Sequence, residues 1–100
     1  MKLIEEANRF VGYDDENEAI AEITWQTRDG ALWVDHTFTH PSLRGQGVAA
    51  ELLEAVVNKA IDEGLKIMPV CPYVVRKFDQ EPSQYSRRMY RYPRQSVQAP

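Results

Sequence analysis

Arg44-Gly45-Gln46-Gly47-Val48-Ala49 joins a strand-like segment, Ala31 to Thr39, to a helix-like one, Val48 to Glu63. Glycine lacks a Cβ, so a ligand can come close to the backbone there, and the amides that open the following helix have no intrahelical acceptor. A pyrophosphate suits such a place, and the helix dipole adds attraction of roughly 0.3 to 1 kcal/mol. The same glycines would also serve a plain turn into the helix, so the flanking chain has to decide.

Upstream, Asn8 to Tyr13 has strand character, and Asp14-Asp15-Glu16-Asn17 is a polar turn before Glu18 to Trp25. In that next segment Ala19, Ala21, Ile23 and Trp25 alternate with other residues, as on a half-buried strand. Asp29-Gly30 signals a tight turn. Alternation then places Leu32, Val34, His36 and Phe38 on one face of the third strand and Trp33, Asp35 and Thr37 on the other. These three strands make an antiparallel meander, and Pro41 ends the third.

Downstream, Val48, Leu52, Leu53, Val56, Ala60 and Ile61 recur at helical spacing, and Gly64 supplies a left-handed stop. Leu65 to Val70 returns as a strand, which makes a right-handed crossover between parallel strands. Pro69 has no ladder donor, so a gap opens on one side of that strand. Pro72 suits the first position of a short helix that runs to about Gln80, with Val74, Val75 and Phe78 as its apolar stripe. The fold class is therefore α+β: a three-stranded meander, a helix crossover to a parallel strand, and a short second helix.

A chain of 100 residues suits one domain with a real core, and its 43% hydrophobic content suits a globular protein. Its longest apolar run falls far short of the ~20 residues that span a bilayer, so no membrane segment is expected. The start turns acidic at Glu5-Glu6 before a signal-peptide core could form, which argues against export. With Cys71 alone, no internal disulfide forms, and a reducing, cytoplasmic setting follows. Charge is uneven: Met1 to Gly30 holds eight acids against three bases, Cys71 to Pro100 six bases against two acids. Residues 1–85 read as the domain and 86–100 as a basic, partly disordered tail in which Arg87, Arg88, Arg91 and Arg94 interleave with Tyr90 and Tyr92, just after Tyr85. Arginine and tyrosine together can grip nucleic acid, but the acidic overall balance and the lack of a binding motif argue against it.

Two phosphate-loop patterns compete. Gly45-Gln46-Gly47-Val48-Ala49-Ala50 fits the dinucleotide fingerprint G-x-G-x-x-A, which also wants an acid about 20 residues on. Cys71 stands there instead, and hairpins precede the loop where crossover units are needed. The other pattern is R-x-x-G-x-A, met by Arg44, Gly47 and Ala49. Together with His36-Thr37 before the loop and Cys71-Pro72-Tyr73 after the next strand, it resembles the GNAT superfamily of acetyltransferases, and specifically a minimal single-domain group of unassigned substrate. The match covers about residues 8 to 85.

That resemblance implies acetyl-coenzyme A as the small-molecule acyl donor. Arg44, Gly45, Gln46, Gly47, Val48 and Ala49 would grip its pyrophosphate. Its pantetheine arm would lie between splayed parallel strands, here Leu32 to Thr39 and Leu65 to Cys71, and amides around Phe38 and Thr39 would meet the arm and the thioester carbonyl. The chain departs from the group at Phe38, where an acid is usual, so no carboxylate base is expected there. It is also too short to hold the acceptor region of longer members, so its acceptor site would be either rudimentary or completed by a partner protein or by a second copy as a homodimer.

Acetyl transfer requires a deprotonated amine, donors for the thioester carbonyl and an acid for the departing thiolate. His36 is a candidate base if its face opens to the cleft, and a core histidine otherwise. His40 falls in the loop, with a solvated side chain. Cys71 follows a strand end beside a helix start, where an activated thiol could carry the acetyl group; as a buried residue it would be a small apolar filler. Tyr73 could protonate the leaving sulfur or simply pack. The favoured reading is a small cytoplasmic acetyltransferase acting on an unidentified amine. The alternatives are a coenzyme-A-binding module without turnover, which Phe38 favours, and a protein-interaction domain that uses its basic tail.

Overall fold

A computed structural model describes residues 1–81, and the basic tail and the end of the predicted domain lie outside them. The sheet has five strands in sequential order: β1 (Lys2–Glu6), β2 (Arg9–Tyr13), β3 (Ala19–Arg28), β4 (Ala31–Thr39) and β5 (Lys66–Pro69). The first four form the antiparallel meander, one strand longer than the sequence predicts, because Lys2 to Glu6 carries no apolar alternation that marks a strand. Left-handed residues make its turns: Asn8 at φ 59° between β1 and β2, and Asp29 and Gly30 at 54° and 73° between β3 and β4. Two successive positive φ values twist a hairpin in the same hand as its strands, so the Asp29-Gly30 turn fits its place.

Helix α1 (Val48–Glu63) carries the chain across one face to β5, which pairs parallel with β4 as predicted. Gly64 ends it at φ 68°, its amide bonding Ile61 O at 3.3 Å while Leu65 N bonds Ala60 O at 2.8 Å. Val48, Leu52, Leu53, Val56 and Ala60 bury against Ala21, Ile23, Trp25, Leu32 and Val34. Ile61 does not join them, being 45% exposed. Helix α2 (Pro72–Gln80) adds Val74 and Phe78 to the same core, and Cys71 is buried beside them.

One irregularity positions the site. Trp25 pairs with Val34 but Thr24 with His36, so Asp35 is an extra residue on β4, and Thr24 Oγ1 donates a hydrogen bond to Asp35 Oδ1 at 2.5 Å. An inserted residue resets the alternation and bends its strand. Beyond it Thr37 and Thr39 stand opposite Ile23 and Ala21 on the helix side, while His36 and Phe38 pass to the uncovered face with Thr24 and Glu22. The predicted face shared by Leu32, Val34, His36 and Phe38 is thus split in two.

The bend coincides with the end of the β4–β5 ladder. Pairing runs from Ala31 with Lys66 to Val34 with Pro69. There the Val34 carbonyl accepts from both Val70 N at 3.0 Å and Cys71 N at 2.9 Å. From Asp35 to Thr39, β4 continues without a β5 partner among the described residues. Pro69 sits at the place where its missing donor costs the ladder least.

Candidate functional site

The two strands part toward the loop, and the opening widens into a cleft of about 590 Å³. Its floor begins at Thr37 and Thr39 on β4. One wall is the loop and the first turn of α1, and the other is α2, which contributes Tyr73, Arg76 and Lys77.

The loop is braced from within. A single 3-10 turn, Pro41–Leu43, starts it, with His40 Nδ1 accepting the Ser42 amide at 3.1 Å. Gln46 Nε2 donates to Ser42 O at 3.2 Å and ties the far side back. Gly45 and Gly47 have φ 83° and 79°, values that side chains resist, while the position of a Cβ at either would meet nothing within 4 Å. Both glycines are needed for their backbone angle, and the space above them is open to a ligand. Gly47 caps α1, the Glu51 amide bonding its carbonyl at 3.1 Å. The amides of Val48, Ala49 and Ala50 precede that first helical bond and have no intrahelical acceptor.

Of the residues expected to hold the cofactor, Thr39, Arg44, Gly45, Gly47, Val48 and Ala49 line the cleft. Gln46 and Phe38 do not. Gln46 serves the loop brace, and Phe38, 42% exposed, lines a hollow on the uncovered face with Arg9, Tyr13 and Glu22. Cys71 is buried behind the cleft wall with its Sγ 3.3 Å from Thr37 Oγ1, a residue that does line the cleft. His36 is neither a core residue nor a cleft residue. The bulge turns it outward, where its Nε2 lies 3.6 Å from Glu22 Oε2.

Behind that pair runs a polar belt across the uncovered face. Arg9 donates to Glu22 at 2.8 Å and to Glu6 at 2.7 Å and 3.1 Å, and Tyr13 donates to Glu6 at 2.6 Å. The Tyr13 hydroxyl, then the Arg9 guanidinium, holds the Glu6 carboxyl below its ordinary value of 4.5.

Several cleft residues, Thr37, Leu43, Arg76 and Lys77 among them, receive no role in the cleft from the sequence. Strict alternation places Thr37 on the face away from Val34, whereas the bulge brings it to the helix side opposite Ile23. Arg76 and Lys77 go unremarked in the sequence, although Tyr73, Arg76 and Lys77 stand at i, i+3 and i+4 on one side of α2, and that spacing is the available signal. Burial pushes the Tyr73 phenol above its ordinary 10.0, with Lys77 pulling the other way, so it keeps its proton at neutral pH. Among the described residues, no group of His, Cys, Asp and Glu is arranged to hold a metal ion, and no helix is long and apolar enough to cross a membrane.

The family model for GCN5-related N-acetyl-transferases matches residues 9–89. The chain is 37% identical to a GCN5-like protein of Staphylococcus aureus whose solution structure it matches with a TM-score of 0.73, over 89% of this chain and 87% of that one. It shares its fold, at 22% identity and a TM-score of 0.59, with a ribosomal-protein-alanine N-acetyltransferase of Brucella melitensis biovar Abortus 2308. That alignment covers 72% of this chain and 58% of the enzyme, so this chain spans little more than half of the larger architecture. No curated protein matches the chain. A five-stranded mixed sheet forked at Val34, a glycine loop that opens α1 and a family model that covers most of the sequence lead to one assignment: the chain belongs to the GCN5-related N-acetyltransferase family.

Proposed function

We propose that the cleft binds acetyl-coenzyme A and that the protein transfers the acetyl group to an amine. The observation that carries this reading is the continuity of the opening, from the fork at Val34 to the unspent amides of α1. The donor set fits the molecule. Amides of Val48 to Ala50 and the Arg44 guanidinium suit a pyrophosphate, and Leu43 and Val48 give the arm apolar walls.

The bound thioester supplies an activated acetyl group, so that a C–N bond forms to the amine as the C–S bond breaks. Thr37 and Thr39 bring hydroxyls to the fork end of the cleft. Tyr73, holding its proton at neutral pH, donates it to the departing sulfur. Cys71 lies one hydroxyl behind the wall as a candidate acyl carrier. His36 and Glu22 stand on the opposite face, from which an acceptor amine would approach if His36 receives its proton. The free thiol of Cys71 agrees with a cytoplasmic setting.

Calorimetric titration of acetyl-coenzyme A tests the proposal, with saturable one-site binding expected. Gly47→Ala puts a side chain at a left-handed angle, at a cost of roughly 1 to 2 kcal/mol that the loop relieves by tilting its amides; binding is expected to weaken by about tenfold. A folded protein that gives no binding heat would reduce the loop to a turn.

A further inference from the structure

The described residues contain four arginines, and two are committed. Arg9 is ion-paired to Glu6 and Glu22, and Arg28 stacks over the Trp33 ring at 4.0 Å from its centroid. Arg44 and Arg76 have no carboxylate partner among the described residues, and both line the cleft, from opposite walls. Lys77, beside Arg76, is instead paired with Glu81 at 3.1 Å. A guanidinium on each wall with no such partner among the described residues suits a ligand with anionic groups at two separate places.

The loop amides and Arg44 suffice for one pyrophosphate. Coenzyme A carries a further phosphate, a monoester on its ribose, whose charge of about −1.5 to −2 at neutral pH matches that of a phosphorylated side chain. Helix α2 begins at the fork with Cys71 as its cap, followed by Tyr73 and, one turn later, Arg76. The order along the helix follows the order along the ligand, from thioester through arm to phosphates. We infer that Arg76 holds the 3′-phosphate of the coenzyme, which makes the protein selective for coenzyme A over its 3′-dephospho form. The inference rests on the reading that this cleft takes acetyl-coenzyme A.

The test is calorimetry of coenzyme A and 3′-dephospho-coenzyme A against the wild-type protein, Arg76→Gln and Arg76→Lys, at one ionic strength. Arg76 is exposed on α2, and a thermal melt of each variant verifies folding. The wild type is expected to bind the dephospho form about tenfold or more weakly, as a charge-assisted contact requires. Arg76→Gln should lose that factor for coenzyme A and nothing for the dephospho form, with Arg76→Lys in between. Equal wild-type affinity for the two ligands overturns the inference and leaves the cleft reading intact. A loss in Arg76→Gln that is the same for both ligands also overturns it, since Arg76 would then act elsewhere on the molecule. No heat from either ligand overturns the cleft reading and this inference together.

Discussion

At the residue scale, the contact between Cys71 and Thr37 decides how the fork end of the cleft can work. Cys71 is 6% exposed, and its Sγ lies 3.3 Å from Thr37 Oγ1, so the hydroxyl stands between the thiol and the opening. A threonine hydroxyl moves by rotation about χ1, a change between staggered wells that needs no backbone shift. If Cys71 carries the acetyl group, the thiol sulfur takes it from the thioester and releases coenzyme A. Intact-mass analysis of the wild type incubated with acetyl-coenzyme A and no amine is then expected to show one added acetyl group, which Cys71→Ala abolishes. A wild type without added mass would assign Cys71 to packing.

At the element scale, the bulge on β4 sets both which side chains face the cleft and where the sheet opens. Deleting Asp35 removes the extra residue and leaves Val34 and Thr37 on the helix side, His36 on the other. The strand then straightens, its ladder with β5 extends past Val34, and the cleft narrows. The variant is expected to keep its sheet by circular dichroism and to bind acetyl-coenzyme A at least about tenfold more weakly by calorimetry. Unchanged binding would show that something else holds the fork open. Much of this fold could be read from the sequence, because residue types encode their own geometry: Asp29-Gly30 and Gly64 take left-handed angles, and the stripe from Val48 to Ala60 marks one buried helix face. The bulge could not, since Leu32, Val34, His36 and Phe38 keep their period of two while the backbone does not. Nor could β1, whose Lys2-Leu3-Ile4-Glu5-Glu6 lacks alternation because it is an edge strand with little to bury. In the site, the glycine loop is legible by its motif, whereas the spacing of Arg76 from Tyr73 shows that they share a side of α2 but not that this side faces the loop.

At the scale of the whole molecule, the helices cover one face of the sheet, and a polar belt joins four strands on the other: Glu6 from β1, Tyr13 and Arg9 from β2, Glu22 from β3 and His36 from β4. Lys59 ties α1 to β1 by an ion pair of 2.7 Å to Glu5, and pairs within α1 with Glu63 at 2.7 Å. Hydrogen bonds from Tyr13 and Arg9 lower the Glu6 carboxyl from its ordinary 4.5, so its contribution to folding is present above that value and is lost as pH falls through the lowered one. Thermal melts between about pH 6 and pH 3 are expected to show stability falling toward acid, with a shallower slope in Glu6→Gln. An identical slope in that variant would place the acid sensitivity in other carboxylates.

The carbonyl of Val34, shared by two amides, works like the stop of a zip: the strands close up to it and no further. The width of the slot beyond is therefore fixed when the chain folds, before any occupant arrives.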